Sequence, residues 1–367
     1  MTAMSIPRPR AGVLAIEPYV GGESVIAGRS RVFKLSSNES PLGPSPRAVA
    51  AYQGAAGDLA IYPKGDAREL RQAIAALHDL EPERVMLGAG SDEILNLLAH
   101  AYLGPGDEAL ATENSFIVYR IATQSAGARP VLAPERGHRT DFESLLARVT
   151  DRTKIVYLAN PNNPTGTYVT RKELESFHAT LPPNILLVLD AAYAEYAGPS
   201  DYADGAELAR HAKNVVMTRT FSKAYGLAGL RLGWAYGPLE VCDILNRVRG
   251  PFNTSVPAQA AGLAAIADQE HLARAVAHNA RWLPELARGI SSLGFHVVPS
   301  VGNFLLIEFG SLENAHAVDV ALRDAGIIVR GLRNYGFESA LRLSVGTDEA
   351  NALMLSTLET YVKRRSP

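Results

Sequence analysis

The stretch VVMTRTFSKAYGLAGLR, residues 215–231, joins an apolar run to a loop that carries a lysine among small residues. The run VVMTRT (215–220) is typical of a strand covered on both faces, because such a strand loses the polar alternation of a half-exposed one. Three earlier runs have the same character, namely VMLGAG (85–90), KIVYLA (154–159) and ILLVLD (185–190). Together the four runs predict the buried strands of one sheet.

Amphipathic segments lie between these runs and predict helices. They are DARELRQAIAALHDL (66–80), SDEILNLLAHAYL (91–103), DFESLLARV (141–149) and TRKELESFHATL (170–181). Two of them begin with Ser or Thr and carry an acid close behind, which favours an N-cap at Ser91 and at Thr170. The alternation of strands and helices predicts an α/β fold with a mainly parallel sheet.

The pattern changes at about residue 251, where Ala-rich helical segments are followed by shorter strands and a closing helix. The segments are 257–267, 271–292, FHVVP (295–299), NFLLIEF (303–309), ALRLSVG (340–346) and a helix from Asp348. We expect an N-terminal arm (1–45) that packs on the small domain, a large domain (46–250) and a small α+β domain (251–367).

The composition excludes several classes of protein. The chain has 367 residues, of which 47% are hydrophobic, so it can bury a large core. Its 36 basic and 38 acidic side chains nearly balance, which gives no electrostatic case for nucleic acid or an anionic membrane as a partner. No run approaches the roughly 18 apolar residues of a membrane span.

Cysteine and histidine usage limits the site chemistry. The single cysteine, Cys242, cannot form an internal disulfide and fits a reducing compartment, so we expect a cytoplasmic protein. The nine histidines are scattered without the spacing of metal ligands, and no catalytic metal is expected.

Polar residues that directly follow the strands are the candidates for a site, because ligands bind beyond the carboxyl ends of parallel strands. In GAGSDE (88–93), Ser91 and Asp92 open a helix whose free N–H groups can bind an anion. In ANPNNPTG (159–166), Asn163 offers an amide held between Asn162 and Pro164. A plain strand-to-helix turn and a simple Asn/Pro turn remain the alternatives.

Asp190 and Lys223 carry the reactive chemistry. Asp190 closes an apolar run, so its carboxylate would be buried and would need a cationic partner, unless it caps a helix. Lys223 can form an imine with a carbonyl when its amine is neutral, although a solvated charge is the simpler alternative. Thr220, Ser222 and Arg231 would supply donors for a phosphate dianion. One molecule would use all of these groups at once, and it is pyridoxal 5'-phosphate.

Three motifs together resemble a known family. NNPTG (162–166), DAAY (190–193) and TFSKAYGLAGLR (220–231) are similar to the fold-type I, pyridoxal-phosphate-dependent aminotransferases over nearly the whole chain. The resemblance implies a large domain with a mainly parallel seven-stranded sheet and a small α+β C-terminal domain. Further segments are most similar to the histidinol-phosphate aminotransferase branch, namely 34–46, 61–71, 88–95, 327–330 and 341–347.

The resemblance assigns roles by position. Lys223 would bind the cofactor aldehyde as an imine and then move the substrate proton, and Asp190 would pair with the protonated ring nitrogen. Asn163 and Tyr193 would bond the phenolic oxygen of the ring, and Phe116 would stack on its face. The cofactor phosphate would lie among Gly90, Ser91, Asp92, Thr220, Ser222 and Arg231. Tyr62 would reach this phosphate from a neighbouring subunit, which implies a homodimer with shared active sites.

Substrate anions would meet Arg330 and Arg342, with Tyr19 and Asn38 closing over them; for Arg330, a surface ion pair is the alternative. Arginine suits both carboxylate and phosphate. The implied reaction transfers the amino group of L-histidinol phosphate to 2-oxoglutarate in histidine biosynthesis. The segment GLRNYGFESA (331–340) adds Arg333, Tyr335 and Phe337 beside the substrate entrance, and its preference for a donor is open.

Other functions are compatible with the same motifs. An aromatic-amino-acid aminotransferase, or an enzyme that serves both donors, shares the same framework, and so does a threonine-phosphate-decarboxylase-like lyase. A non-catalytic sensor fused to a DNA-binding module is the alternative from another class. The first 34 residues are too short for such a module and carry no helix-turn-helix pattern.

Overall fold

The apolar runs form strands in the computed structural model, which describes residues 7, 9, 10 and 12–365. Within these residues the strands are β1 (Phe33–Lys34), β2 (Val85–Gly88), β3 (Glu108–Thr112), β4 (Arg129–Ala133), β5 (Glu135–Arg136), β6 (Arg139–Thr140), β7 (Thr153–Ala159), β8 (Leu186–Asp190), β9 (Val215–Thr220), β10 (Gly233–Tyr236), β11 (His296–Val297), β12 (Phe304–Glu308), β13 (Ile327–Ile328), β14 (Arg330–Leu332) and β15 (Phe337–Ser344).

Helices alternate with the strands in the first part of the chain and dominate the second. In the described ranges they are α1 (Pro46–Gly54), α2 (Arg68–His78), α3 (Ser91–Tyr102), α4 (Val118–Ser125), α5 (Phe142–Leu146), α6 (Arg171–Thr180), α7 (Ala206–His211), α8 (Leu239–Val248), α9 (Val256–Ala267), α10 (Gln269–Ser292), α11 (Leu312–Asp324) and α12 (Asp348–Arg365). None of the helices in the described part of the chain has the length and apolarity needed to span a lipid bilayer.

The large sheet has seven strands among the described residues, in the order β2-β10-β9-β8-β7-β3-β4. β10 runs antiparallel to both of its neighbours, and the remaining pairs are parallel. The four strands predicted from apolar runs are confirmed as β2, β7, β8 and β9, and the α/β fold class with a seven-stranded sheet is confirmed with them. Because parallel strands end at one edge, β7, β8 and β9 deliver their following residues to the same place.

Capping explains where two helices begin. Thr170 caps α6 as predicted, since its side chain accepts from the Glu173 N–H while Glu173 bonds back to the N-cap backbone. The predicted cap at Ser91 is wrong. Gly90 holds the N-cap position of α3 with a φ of 84°, and Ser91 is the first helical residue. A glycine adopts this backbone conformation without strain, and it has no side chain that could accept from the first N–H groups of α3.

A smaller antiparallel sheet forms near the C-terminus, with strand order β11-β12-β15-β14. It packs against α10, α11 and α12 in a second apolar core that includes Leu286, Val318, Leu343 and Met354. β1 pairs in parallel with β13, and Leu35 belongs to this second core. The N-terminal segment therefore lies on the small sheet and leads directly to Ser36, Ser37 and Asn38.

The division at residue 250 stays a prediction. α9 packs in the core of the large sheet through Ala258, Ala261, Ala265 and Ile266. α10 follows it after one residue and contributes Trp282, Leu286 and Ile290 to the core of the small sheet. Leu272 near the start of α10 still packs against the core of the large sheet, so the change of partner core occurs along α10.

Candidate active site

A cavity of about 280 Å³ opens where the large sheet, the small sheet and the N-terminal segment meet. Most of the residues predicted for the site lie on its wall: Tyr19, Asn38, Ser91, Asp92, Phe116, Asn163, Asp190, Tyr193, Thr220, Ser222, Lys223, Arg231, Arg330 and Arg342. Gly90 precedes Ser91 and lies against Arg231, and Tyr62 is exposed outside the cavity. Residues from distant parts of the sequence therefore share one cavity.

The Lys223 amine is held at the centre of this wall. It follows β9, and its Nζ donates to the carbonyl oxygen of Ser37 at 3.0 Å. Nζ also lies 5.6 Å from the centre of the Tyr193 ring. Burial, together with the charge of Arg342, lowers the pKa of Lys223 to about 8. About a tenth of the amine is therefore neutral at pH 7, far more than for an ordinary lysine, and this fraction can act as a nucleophile.

Asp190 closes β8 and is 5% exposed. Its Oδ2 accepts a hydrogen bond from the Tyr119 hydroxyl at 2.8 Å, and its Oδ1 accepts from Thr218 Oγ1 at 3.3 Å. Burial raises the pKa of Asp190 to about 6. Because neither partner is a cation, the ionised carboxylate lacks charge compensation among its hydrogen-bond partners, and a positive group in the cavity would supply it.

An anion cradle lies at the start of α3. No side chain caps the first turn of this helix, so its N–H groups are free to bind an anion. Thr220 Oγ1 accepts from the Ser222 N–H at 3.1 Å, and Arg231 Nη1 lies 3.3 Å from Ser222 Oγ. Arg231 also forms an ion pair with Asp92 at 3.2 Å. The cradle thus combines a helix N-terminus, two hydroxyls and a guanidinium.

Two glycines allow the parts of this cradle to approach each other. A Cβ on Gly90 would lie 2.5 Å from Arg231 Nη2, and a Cβ on Gly233 would lie 2.3 Å from the Ser91 nitrogen. Both distances are far shorter than a normal contact. The first strand-to-helix turn, the start of β10 and Arg231 can therefore surround an anion only with glycine at these positions.

Asn163 and Tyr193 face the cavity between the lysine and the small sheet. Asn163 Oδ1 accepts from Arg342 Nη1, and the Tyr193 hydroxyl accepts from Asn38 Nδ2 at 2.9 Å. Asn38 is itself held by Ser344, which receives its backbone N–H and donates to its side chain. The two sheets are thus linked across the cavity by these polar contacts.

Two arginines line the side of the cavity that belongs to the small sheet. Arg342, on β15, is 5% exposed and donates through Nη2 to the Ser36 carbonyl at 2.9 Å. Its buried Nε has no hydrogen-bond partner among the described residues. Arg330, on β14, donates to the Val20 carbonyl at 2.7 Å and stands 5.9 Å from the centre of the Tyr19 ring. Both guanidiniums suit carboxylate or phosphate groups.

Phe116 and Tyr62 have different positions. Phe116 lines the cavity and meets the Tyr119 ring edge-on, with 5.8 Å between the ring centres. Tyr62 is 77% exposed and stacks on Phe252, outside the cavity of its own chain. A single copy of the chain therefore brings Phe116 to the site but not Tyr62.

Several groups at the site were missed by sequence reasoning. The Ser37 carbonyl holds Lys223, Tyr119 and Thr218 hold Asp190, and Tyr335 lines the cavity. The Ser37 carbonyl lies 186 residues from Lys223 in sequence, and Tyr119 lies 71 residues from Asp190. A local motif therefore cannot predict either contact. Tyr335 was noted only as part of the entrance segment.

The residues of the cavity fit pyridoxal phosphate. The cradle would hold a phosphate dianion, the buried Asp190 carboxylate needs a positive partner such as a protonated ring nitrogen, and the Lys223 amine can reach an aldehyde. Phe116 supplies an aromatic face. Asn163 and Tyr193 offer an amide and a hydroxyl for a ring oxygen.

Comparison with known proteins places these features in a family. Residues 30–358 match the family described as aminotransferase class I and II. The chain is 51% identical over 362 residues to the histidinol-phosphate aminotransferase of Rhodopseudomonas palustris strain TIE-1, which covers 98% of this chain and 99% of that protein.

Solved structures agree with the sequence relatives. The histidinol-phosphate aminotransferase of Sinorhizobium meliloti, solved in complex with pyridoxal 5'-phosphate, superposes with a TM-score of 0.90 at 30% identity, covering 99% of this chain and 100% of the other. The aspartate aminotransferase of Thermus thermophilus with maleate has a TM-score of 0.80 at 23% identity, covering 91% of each chain, and shares the fold.

Proposed function

Because the chain belongs to the family of class I and II aminotransferases, we propose that it transfers the amino group of L-histidinol phosphate to 2-oxoglutarate with pyridoxal 5'-phosphate as its cofactor. The products are imidazole-acetol phosphate and L-glutamate, and the step belongs to histidine biosynthesis. The half-identical, full-length relative supports this donor. The observation that carries the proposal is one cavity that holds Lys223, Asp190, an anion cradle and two arginines.

In this proposal the cofactor supplies an electron sink for the carbanion formed when the substrate loses its α-proton. The chain supplies its binding groups. Thr220, Ser222, Arg231 and the first turn of α3 hold the phosphate. Asn163 and Tyr193 hold the ring oxygen, and Phe116 covers the ring.

Lys223 would bind the cofactor and transfer the α-proton of the substrate. Its pKa of about 8 leaves the amine partly neutral, so it can accept the α-proton of the substrate and return it. The Ser37 carbonyl, 3.0 Å from Nζ, orients the amine towards the cavity. Lys223 therefore serves as the catalytic base at a fixed position.

Asp190 would keep the ring nitrogen of the bound cofactor protonated. An ionised carboxylate at this depth is costly without a cation, so the carboxylate and a protonated nitrogen stabilise each other. Tyr119 and Thr218 orient the two carboxylate oxygens. This pairing maintains the electron-withdrawing power of the ring.

The arginine side of the cavity would accept both substrates in turn. Within the described part of the chain, the buried Nε of Arg342 has no partner, and Arg330 gives one N–H to Val20 and keeps others for a ligand. A phosphate in one half-reaction and a carboxylate in the other can use the same guanidiniums. Tyr19 and Asn38 would cover the bound anion.

A homodimer with shared sites accompanies this proposal. Leu59, Ile61 and Tyr62 are 69%, 68% and 77% exposed and lie close together in sequence. Such an apolar surface is typical of a protein interface. Tyr62 of the second subunit would then complete the phosphate cradle. The cytoplasm is the proposed location, since a chain with the single cysteine Cys242 fits a reducing compartment.

The donor is tested by comparing kcat/KM for histidinol phosphate, phenylalanine and tyrosine, each with 2-oxoglutarate. These ratios measure the difference in transition-state binding between donors. We expect histidinol phosphate to have the highest value. A higher value for phenylalanine or tyrosine would replace the proposed donor with an aromatic amino acid.

A further inference from the structure

Tyr335 lies on the wall of the active-site cavity, and the mechanism above gives it no role. It closes the short helical turn Arg333–Tyr335 between β14 and β15 and is 4% exposed. Its ring belongs to a small apolar cluster with Val298, Leu306 and Leu332. The ring is therefore held by packing, and its polar end is available to the cavity.

The Tyr335 hydroxyl is directed at the anion-binding side of the cavity. It makes no hydrogen bond within the described residues, and its electrostatic neighbours are Arg342, Tyr19, Arg330 and Arg120. Burial raises the pKa of Tyr335, and the guanidiniums of Arg342 and Arg330 oppose this effect. The phenol thus keeps its proton at neutral pH and can only donate to an anion placed between these arginines.

The backbone of this turn is fixed from the large sheet. Asn114 Nδ2 donates to the Tyr335 carbonyl at 2.6 Å, and Arg120 Nη2 donates to the Asn334 carbonyl at 2.7 Å. Both donors come from the segment that follows β3, close to Phe116. The hydroxyl is therefore preorganised and loses little freedom when it binds a ligand.

The two arginines spend part of their donor capacity on the chain itself. Arg342 donates one N–H of Nη1 to Asn163 and one N–H of Nη2 to Ser36, and its Nε has no partner among the described residues. One Nη of Arg330 donates to Val20. A carboxylate has two oxygens, which the remaining guanidinium N–H groups can satisfy. A phosphate monoester has three terminal oxygens and a larger charge, so a further donor from another direction stabilises it more than it stabilises a carboxylate.

We propose that Tyr335 is a specificity-determining residue, whose hydroxyl donates to the phosphate of the amino donor and is not required by the carboxylates of the acceptor. The inference rests on the proposed function, because it assumes that a phosphate and a dicarboxylate alternate in this cavity. The Tyr335 hydroxyl would thus contribute to binding in the donor half-reaction and not in the acceptor half-reaction.

The test measures binding of two unreactive analogues to the pyridoxal-phosphate-loaded dimer by calorimetry. The donor analogue is 3-(imidazol-4-yl)propyl phosphate, which lacks the amino group, and the acceptor analogue is glutarate. The variant is Tyr335→Phe, which removes only the unpartnered hydroxyl. Tyr361→Phe is the matched control, since its hydroxyl bonds Asn314 at 2.6 Å on the outer helices α12 and α11.

We expect Tyr335→Phe to weaken binding of the phosphate analogue by about tenfold or more, because a hydrogen bond to a charged group is lost. Glutarate affinity should change by less than about twofold. Tyr361→Phe should bind both analogues like the parent protein. Equal weakening of both analogues, or no weakening of either, would overturn the role of Tyr335. Failure of the parent protein to bind the phosphate analogue would instead overturn the proposed donor, and this inference with it.

Discussion

The chemistry of Lys223 depends on the low pKa of its amine, which burial and the neighbouring Arg342 cause. Burial disfavours the charged form of a lysine, so the neutral form gains population as the pH rises through about 8. Sequence motifs could identify this lysine, because the residues around it form a local stretch. They could not predict the Ser37 carbonyl that orients it, since this contact spans 186 residues.

The rate at which the cofactor-free protein captures pyridoxal phosphate should therefore rise with pH and level off above about 8. Only the neutral amine attacks an aldehyde. Stopped-flow absorbance at a series of pH values measures this rate. A rate that keeps rising towards pH 10, as an ordinary exposed lysine would give, contradicts the lowered pKa.

Asp190 should lower the free energy of unfolding of the cofactor-free protein, although the proposed reaction requires it. Its pKa in the fold, about 6, lies above the 3.8 of an unperturbed Asp, so the folded state loses stability as the pH rises from about 4 to 6. Two pKa units correspond to about 3 kcal/mol in the free energy of unfolding. Asp190→Asn should recover a large part of this energy at pH 8 and much less at pH 5.

Denaturant unfolding of the cofactor-free parent and of Asp190→Asn at the two pH values measures this difference. Turnover of the loaded variant should fall by orders of magnitude, because the amide cannot hold a proton on the ring nitrogen. Equal stability differences at pH 5 and pH 8, or normal turnover, would show that Asp190 does not carry the proposed charge.

At the scale of elements, the junction between β2, β10 and α3 forms the anion cradle. The strands that are apolar throughout could be predicted, because both faces of β7, β8 and β9 are covered. β10 could not, since it has four residues, begins with Gly233 and runs antiparallel. Hydroxyl caps are common, so the sequence predicts Ser91 as the N-cap of α3. The positive φ of residue 90 and its close approach to Arg231 favour glycine there instead.

Gly233→Ala should lower both the free energy of unfolding and the affinity for the cofactor. The new Cβ would lie 2.3 Å from the Ser91 nitrogen, so β10 or the first turn of α3 must shift. We expect a loss of about 1–3 kcal/mol in unfolding free energy, typical of overpacking, and weaker binding of pyridoxal phosphate. Fluorescence titration with the cofactor and denaturant unfolding measure the two effects.

Gly250→Ala is the matched control, because a Cβ at that exposed position meets no atom within 4 Å. It should leave cofactor affinity unchanged. If Gly233→Ala binds the cofactor as tightly as this control does, the close approach of β10 to α3 is not needed for the cradle.

At the scale of the whole molecule, the cavity depends on contacts between the two sheets. Arg342 of the small sheet reaches Asn163 of the large sheet, and Asn38 of the N-terminal segment joins Tyr193 to Ser344. The sequence predicted the members of the site through the family resemblance. It did not reveal these links, because they form only when segments far apart in the chain pack together.

The proposed homodimer with shared sites predicts a distinctive effect of Tyr62→Phe. Loss of this exposed hydroxyl should weaken pyridoxal phosphate binding by about tenfold while the protein remains a dimer. Tyr361→Phe again serves as the control. Sedimentation velocity and cofactor titration measure the two properties. A monomeric parent protein, or unchanged cofactor affinity in the variant, would contradict the proposal that Tyr62 completes the neighbouring site.

The proposed chemistry requires that the cofactor be attached to Lys223, on the same cavity wall as Asp190. Borohydride reduction of the loaded protein, followed by proteolysis and mass spectrometry, locates this attachment directly. The predicted result is a single modified peptide that carries the cofactor on Lys223. Attachment at a different lysine, or no attachment in a protein that nevertheless catalyses the transfer, would contradict the account.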